Sequence, residues 1–361
     1  MATIGLDATY TLGARPTGIA TYSRRLIESL AELETTHRFL VCYRMSRWNR
    51  RREFLRLPKC PVRLFQRPLT FWLPWQADLF HSLAQRPPVF RFRREVVTVH
   101  DAFPITGRDY STAEFQQRFS ALLREAVGRA ARVITDSEYT ALQIHAHCGV
   151  EPERIRTIPC GVDEPSETLA PEQRLSERER LVGQENEMLL SVGNLERRKN
   201  VVNALRALAL LPERYRLVLV GGDGYGAEAI HAFITEQGLE RRVVRLGFVP
   251  AARLPVLYES ASALLFPSLE EGFGFPVLEA MAHGLPVVTS NTSSLPEVGG
   301  DASLYADPSD VNGIAGQCRR AVEDEALRRE LIEKGRVRAR QFTWRRTAEA
   351  VLQVYEEVLG E

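Results

Sequence analysis

Two glutamates, Glu271 and Glu279, bracket the segment Glu-Gly-Phe-Gly-Phe-Pro-Val-Leu-Glu. It lies between apolar runs at 262–267 and 286–289, and Pro276 suits the first position of a helix, where its missing N–H is not needed. The expected order is strand, glycine loop, helix, strand. Bare backbone at Gly272 and Gly274, with Phe273 between them, lets a ligand approach closely, and the N–H groups opening the helix favour an anion such as phosphate. Glu279 is expected in the first helical turn, leaning back toward the N-terminus, and Glu271 at the strand end. Two carboxylates beside an anion-attracting helix start are electrostatically odd unless each accepts hydrogen bonds from hydroxyls. A sugar nucleotide has that composition, a diphosphate with hydroxyl-rich rings on both sides. A glutamate near a helix start also stabilises the helix dipole without any ligand, so the weight rests on the whole spacing.

A second candidate runs from Ser191 to Asn200, between another strand and helix, and carries Arg197, Arg198 and Lys199. Cations at a helix N-terminus oppose its dipole, which is unfavourable unless a strong anion binds there. Gly222-Asp-Gly-Tyr-Gly-Ala227 follows a strand and imitates a dinucleotide fingerprint, but no acidic residue ends the next strand to hold a ribose, so the match is weak. Gly13 to Gly18 also joins a strand to a helix, yet it lacks the lysine and hydroxyl residue of a phosphate-binding NTPase loop. His100 and Asp101 end the run Thr98-Val-His-Asp. A lone histidine is more often structural than functional, and its place at a buried strand end is what argues for function. His145 and His147 stand two apart on a helix, do not share a face, and form no metal pair.

These residues need a scaffold of short parallel strands. Val-, Ile- and Leu-rich runs alternating with helical patterns are the signature of repeated βα units and an α/β fold. Strands are expected at 3–7, 39–43, 62–65, 78–82, 96–100, 132–135 and 154–159, then at 188–192, 217–221, 243–246, 262–266 and 286–289. Helices are expected at 17–33, 112–131, 138–147, 201–211, 227–237, 252–258 and 276–283, and helical sequence resumes from 310. The polar stretch 164–187 carries no strand signal, and the domain boundary is placed near its start. The result is two Rossmann-like halves facing across a cleft, where ligands bind beyond the strand C-termini.

Composition narrows the class. The chain has 361 residues, 44% hydrophobic and 26% charged, with a formal net charge of +1. That is an ordinary globular make-up, long enough for two domains, and its charge balance gives no reason to expect a nucleic-acid partner. No apolar stretch approaches a membrane span, no basic-then-apolar leader is visible, and five scattered cysteines read as reduced cytoplasmic thiols.

Taken together, the motifs resemble those of retaining GT-B glycosyltransferases of family 4 (group 1). Glu271 to Glu279 matches the Glu-x7-Glu signature, with Gly272-Phe273-Gly274 inside it, and the resemblance covers nearly the whole chain. It implies GT-B domains at 1–165, with a closing helix at 344–361 crossing back to them, and at 166–343. The first domain would hold the acceptor and the second the nucleotide sugar. Val192-Gly-x4-Arg-Lys-Asn200 resembles the stretch whose lysine clamps the donor diphosphate, which gives Lys199 that role and Arg198 a share in it. Many members have arginine directly after the glycine, where this chain has Asn194. The resemblance further implies that Glu279 holds the ribose and Glu271 a sugar hydroxyl. Gly247-Phe248-Val249-Pro250 would line the base, Ser294 and Leu295 would reach the diphosphate, and the loop ending at Gly18 would flank it. His100-Asp101-x-x-Pro104 would put His100 near the donor sugar and Asp101 near the acceptor. No Asp-x-Asp stands in a cleft position, so neither metal nor cofactor is expected. The His-Asp-x-x-Pro and Arg-Lys-Asn combination looks most like bacterial mannosyltransferases of polysaccharide assembly, with GDP-mannose as first donor, UDP-sugars next, and a glycan or lipid-linked glycan as acceptor. The rival classes are a nucleotide-sugar epimerase or hydrolase on the same fold and a non-catalytic nucleotide-sugar binding protein.

One surface is left over. Between Arg44 and Trp75 the basic residues Arg44, Arg47, Arg50, Arg51, Arg52, Arg56, Lys59, Arg63 and Arg67 face a single acid, Glu53. Trp48, Phe54, Phe65, Phe71, Trp72 and Trp75 are interleaved with them. Basic residues favour an anionic leaflet and aromatic rings the headgroup layer, so peripheral attachment to the inner face of a membrane is expected through 44–75. A solvated basic surface over core aromatics is the competing expectation.

Overall fold

A computed structural model of the chain describes residues 1–13, 17–66, 70, 73–165 and 167–361. The chain divides into two compact units, Met1–Gly161 with Phe342–Glu361, and Val162–Gln341. In the first unit the elements run β1 (Thr3–Asp7), α1 (Gly18–Glu32), β2 (Arg38–Arg44), β3 (Val62–Phe65), α2 (Leu73–Gln76), β4 (Leu79–Ser82), β5 (Glu95–Val99), α3 (Ala113–Arg129), β6 (Arg132–Thr135), α4 (Glu138–Cys148) and β7 (Ile155–Thr157). The second unit runs α5 (Pro171–Val182), β8 (Glu187–Val192), α6 (Val201–Leu210), β9 (Tyr215–Val220), α7 (Ala227–Glu236), β10 (Val243–Gly247), α8 (Leu254–Ser260), β11 (Ala263–Phe266), α9 (Phe275–Ala282), β12 (Val287–Ser290), α10 (Leu295–Gly299), β13 (Ser303–Ala306), α11 (Val311–Glu323) and α12 (Glu325–Ala339). A last helix, α13 (Trp344–Gly360), belongs to the first unit.

Both sheets are parallel. The first has seven strands in the order β3-β2-β1-β4-β5-β6-β7, and the second has six in the order β10-β9-β8-β11-β12-β13. Strands buried on both faces read as continuous apolar runs, as β11 does, where every residue is buried. In each sheet the order reverses between the first and fourth strands, and an open α/β sheet binds ligands outside the strand ends at that reversal. In the second unit the two loops at the reversal follow β8 and β11. They carry Arg198 and Lys199 on one side and Glu271 on the other.

The short helices α2 and α10 have no counterpart among the expected elements, and neither do α5 and β13. The stretch 164–187 contains α5, whose one buried residue is Val182; a helix that exposes nearly every side gives no apolar rhythm. The edge strand β13 is only four residues long and pairs with β12 alone among the described strands. Ser303 and Ala306 at its ends weaken the apolar signal.

The closing helix is fixed by its amphipathic face. Trp344, Ala348, Val351, Val354, Tyr355 and Val358 are buried at helical spacing. The Tyr355 hydroxyl meets His81 Nδ1 at 2.6 Å, and Thr347 Oγ1 donates to the Pro159 carbonyl at 2.8 Å. Gly161 lies so close to the helix start that a Cβ there would fall 2.3 Å from the Trp344 nitrogen. The helix also packs onto α1, where Trp344 meets Tyr22 edge-on. Among the described residues no helix is long and apolar enough to cross a membrane.

Candidate functional site

The loop after β8 crosses to the loop after β11 through charge. Arg198 Nη1 donates to Glu271 Oε2 at 2.8 Å and to the Glu270 carbonyl at 2.5 Å, and Lys199 Nζ donates to Glu271 Oε1 at 2.7 Å. Glu271 is 6% exposed. Burial pushes its carboxyl up, but Arg198 and Lys199 outweigh it and hold the pKa down to about 2. Burial also lowers the Lys199 ammonium below the ordinary lysine value, with Glu271 opposing it. The strong anion that the basic run demands is therefore present as the protein's own carboxylate. Glu196 Oε2 also stands 3.8 Å from Arg198 Nη2.

Backbone contacts hold both loops. Asn200 takes the left-handed conformation at φ 57°, tolerable for asparagine, and its amide donates to the carbonyls of Pro267 at 2.9 Å and Pro308 at 2.7 Å. The Leu269 N–H donates to the Arg198 carbonyl at 2.9 Å. On the other side, the Glu271 N–H donates to Ser293 Oγ at 3.1 Å, and Ser294 Oγ donates to the carbonyls of Glu271 and Phe273. Ser294 and Leu295, both fully buried, thus help build the loop that Glu271 occupies.

The glycines here make room. Gly193, at φ +140°, would put a Cβ 3.3 Å from Lys199 Cε. Gly221 would put one 2.0 Å from the Gly193 carbonyl oxygen, and Gly224 one 2.4 Å from Glu196 Cγ. The glycine turn after β9 is therefore shaped against the cation-bearing loop, which accounts for its sequence without a dinucleotide. Gly274, at φ +114°, caps α9, and a Cβ there would meet Leu295 Cδ2 at 2.9 Å.

Two expected placements shift. Because Gly274 is the cap, α9 starts at Phe275, Pro276 is its second residue, and Glu279 is its fifth, past the first turn. Glu271 lies in the loop, beyond the last residue of β11, Phe266, and does not end the strand. Glu279 is half-buried and has its own partner: Tyr258 donates its hydroxyl to Oε2 at 2.6 Å. Burial raises the pKa of Glu279, Tyr258 opposes this, and the charge of Asp163 adds to the rise. Phe273 is buried edge-on to Phe275, Val249 is buried, and Phe248 is 39% exposed.

In the first unit, His100 is buried with both ring nitrogens engaged. Nδ1 meets Asp136 Oδ2 at 2.6 Å and Nε2 meets the Leu83 carbonyl at 2.9 Å. The carbonyl can only accept, so Nε2 carries a proton. Burial disfavours the charged ring, but Asp136 outweighs it and raises the pKa above the ordinary histidine value. Asp101 is half-buried, and Gly18 is the exposed first residue of α1. Of the loop 13–18, residues 14–16 lie outside the described residues.

The sequence reading passed over Asn200, Ser293, Tyr258 and Asp136. Asn200 had a usable signal, an asparagine directly before a helix where a left-handed residue is tolerated. The other three gave none, because their roles rest on partners remote in sequence.

Replacing Glu271 by glutamine leaves Arg198 and Lys199 without their counter-charge. We expect Glu271→Gln to lower unfolding stability by about 3 kcal/mol at neutral pH, the scale for breaking a buried pair, and pyrophosphate to restore more of the melting temperature in the variant than it adds to the wild type. The Glu271 pKa is depressed on folding, so its contribution is present above the unfolded value of 4.5 and is lost as pH falls toward about 2. An acid-unfolding profile in that window that is identical for both proteins would contradict this.

Comparison with known proteins agrees with this architecture. The family model described as glycosyl transferases group 1 matches residues 173–338, and the Glycosyltransferase Family 4 model matches residues 16–164. The chain is 33% identical over 276 residues to O-antigen chain mannosyltransferase B of Escherichia coli, covering 74% of this chain and 71% of that protein. It is 29% identical over 278 residues to the serotype-specific mannosyltransferase WbdA of Escherichia coli, covering 74% of this chain and only 34% of that longer protein. The crystal structure of Anabaena Alr3699/HepE in complex with UDP aligns with a TM-score of 0.77 at 20% identity, over 99% of this chain and 100% of that one. The chain thus belongs to the group 1, family 4 glycosyltransferases and has their GT-B fold.

Proposed function

We propose that the chain transfers a hexose from a nucleotide sugar to a glycan or lipid-linked glycan acceptor, with retention of anomeric configuration and without a metal. Mannose from GDP-mannose is the first donor and UDP-sugars are next. The observation that carries this reading is the convergence of Arg198 and Lys199 on Glu271, in the two loops at the strand-order reversal and just before the start of α9. The choice of mannose draws on the two mannosyltransferase relatives.

In this reading the donor diphosphate draws Lys199, and in part Arg198, away from Glu271, whose carboxylate then accepts a sugar hydroxyl. Ser294 and Leu295 help hold the diphosphate, Glu279 the ribose, and Phe248 with Val249 the base, while Gly272, Phe273 and Gly274 form the loop beneath. The acceptor oxygen bonds to the anomeric carbon on the face from which the diphosphate oxygen departs, and the acceptor's proton passes to the leaving diphosphate. Preorganised cations at developing charge are worth far more in a water-poor site than in water. For Gly18, His100 and Asp101 the family resemblance supplies the support. Because both His100 ring nitrogens are committed to protein acceptors, its contribution to the donor sugar is electrostatic.

Lys199→Ala is expected to cut turnover more than donor binding, by about 10² to 10³ in rate, the usual cost of losing one charge-stabilising group. Glu279→Ala is expected to weaken nucleotide affinity instead, since the ribose changes little during reaction. Steady-state kinetics with calorimetric nucleotide binding checks both, and the site assignment fails if neither change is seen.

Activity is expected to survive EDTA, and product NMR to show the donor's anomeric configuration. An inverted product, or activity restored only by added metal, would overturn the mechanism proposed.

Peripheral attachment to an anionic bilayer through 44–75 is proposed with a narrower surface than the composition implied. Phe54 stacks on Tyr43 at 3.9 Å and Phe65 is core, so neither reaches a bilayer. Arg67, Phe71 and Trp72 lie outside the described residues. Trp48 (52% exposed) and Trp75 (80% exposed) remain, with exposed Arg47, Arg51, Arg52, Arg56, Lys59 and Arg63. Binding to anionic vesicles at low salt, falling steeply as salt rises, is the expected result of co-sedimentation. Equal binding to neutral vesicles would leave only a solvated basic surface.

A further inference from the structure

Tyr258 is 1% exposed in α8, and its hydroxyl donates to Glu279 Oε2 at 2.6 Å. Burial, together with the Glu279 charge, pushes the phenol pKa well up, so the phenol stays protonated and the carboxylate is the acceptor. The ring cannot swing away. It stacks on the imidazole of His283, with centroids 5.7 Å apart and planes 8° from parallel. His283 in turn lies against Glu259, Nδ1 to Oε1 at 3.3 Å. Glu259 is pinned by the Leu169 N–H at 2.7 Å and by Arg174 at 3.4 Å. A continuous run of contacts therefore joins the segment leading into α5 to the carboxylate in α9.

A carboxylate offers about four lone-pair positions over two oxygens. Tyr258 takes one of them on Oε2 and restrains the torsion of the group, leaving Oε1 and the rest of Oε2 as acceptors. A vicinal diol needs two acceptor positions held in a fixed relation, which a freely rotating carboxylate supplies poorly.

We propose that Tyr258 is the positioning residue for Glu279, locking its carboxylate so that the remaining acceptor positions receive the ribose diol of the nucleotide. This rests on the reading that Glu279 holds the ribose. The donor is then recognised through a hydroxyl that never touches it, on a ring stacked on His283, which Glu259 holds in turn.

Tyr258→Phe removes the hydroxyl and keeps the ring stack, so the fold is retained. GDP and 2′-deoxy-GDP are the probes, with pyrophosphate, which has no ribose, as control. The variant is expected to bind GDP roughly tenfold more weakly, the scale of one hydrogen bond to a charged group, and to lose most of the wild type's preference for GDP over 2′-deoxy-GDP. Pyrophosphate affinity stays at the wild-type value, and the donor KM rises more than kcat falls. Unchanged GDP affinity and unchanged discrimination would overturn the proposal, as would an equal loss for pyrophosphate, which marks general disorder of the site. Glu279→Ala separates the two ideas: unchanged GDP affinity there removes the ribose reading itself, whereas a loss there with a wild-type Tyr258→Phe removes only the role of Tyr258.

Discussion

The second unit is organised around a carboxylate that has to be ionised where water is scarce. Moving an ion out of water costs several kcal/mol even after relaxation, and Glu271 offsets that cost by taking two cations from the opposite loop. The arrangement dictates its surroundings. Lys199 reaches Glu271 past a residue that has no side chain, Gly193, and Gly193 in turn abuts Gly221 so closely that a Cβ at Gly221 would be 2.0 Å from its carbonyl oxygen. Asn200 adopts a left-handed conformation to tie the cation loop to Pro267 and Pro308. The glycine-rich turn after β9 is a consequence of the ion cluster next to it, and its likeness to a nucleotide fingerprint is incidental to that job.

The first unit also buries a polar centre. Asp136 and the Leu83 carbonyl engage both ring nitrogens of His100. The preceding strand is anchored from behind. Thr98 bonds to His81 at 2.8 Å and to the Tyr22 hydroxyl at 3.1 Å, and His81 also meets Tyr355 of α13. The last helix of the chain is thus coupled through two buried polar side chains to the strand that presents His100. In both units a buried polar network ties a titratable group to partners remote in sequence, and such networks favour one geometry.

How legible this was in the sequence depends on the range of each interaction. Strands at 3–7, 62–65 and 132–135 coincide with β1, β3 and β6; β1 and β6 are mostly buried, and such strands show themselves as local apolar runs. β13 and α5 do not, since one is a short edge strand with weak ends and the other a helix exposed on most of its surface. Glu271, Arg198 and Lys199 stood out through spacing along the chain. That they neutralise one another did not, because the pairs are separated by 73 and 72 residues. Tyr258 was invisible for a similar reason: one aromatic residue in an apolar helix gives no sign of a carboxylate 21 positions away. The start of α9 was misplaced by a residue because the left-handed Gly274 is the cap, and side-chain sequence alone does not choose between a glycine cap and a proline start.

The ion cluster also bears on the chemistry proposed for it. Arg198 and Lys199, with Glu271 and Glu196 beside them, stand before α9, whose dipole adds roughly half a positive charge at its start. In the proposed complex the diphosphate would meet these cations, and breaking the bond to the sugar would give it a further negative charge. The cations are already desolvated and oriented by Glu271, so stabilising the added charge requires little reorganisation. In that proposal Glu271 would gain from the same event, because the sugar becomes cation-like as the bond breaks. A carboxylate that in the free protein serves as the counter-ion of Lys199 is therefore well suited to the developing sugar cation once the diphosphate takes its place. One ion cluster can stabilise both poles of the separating charge.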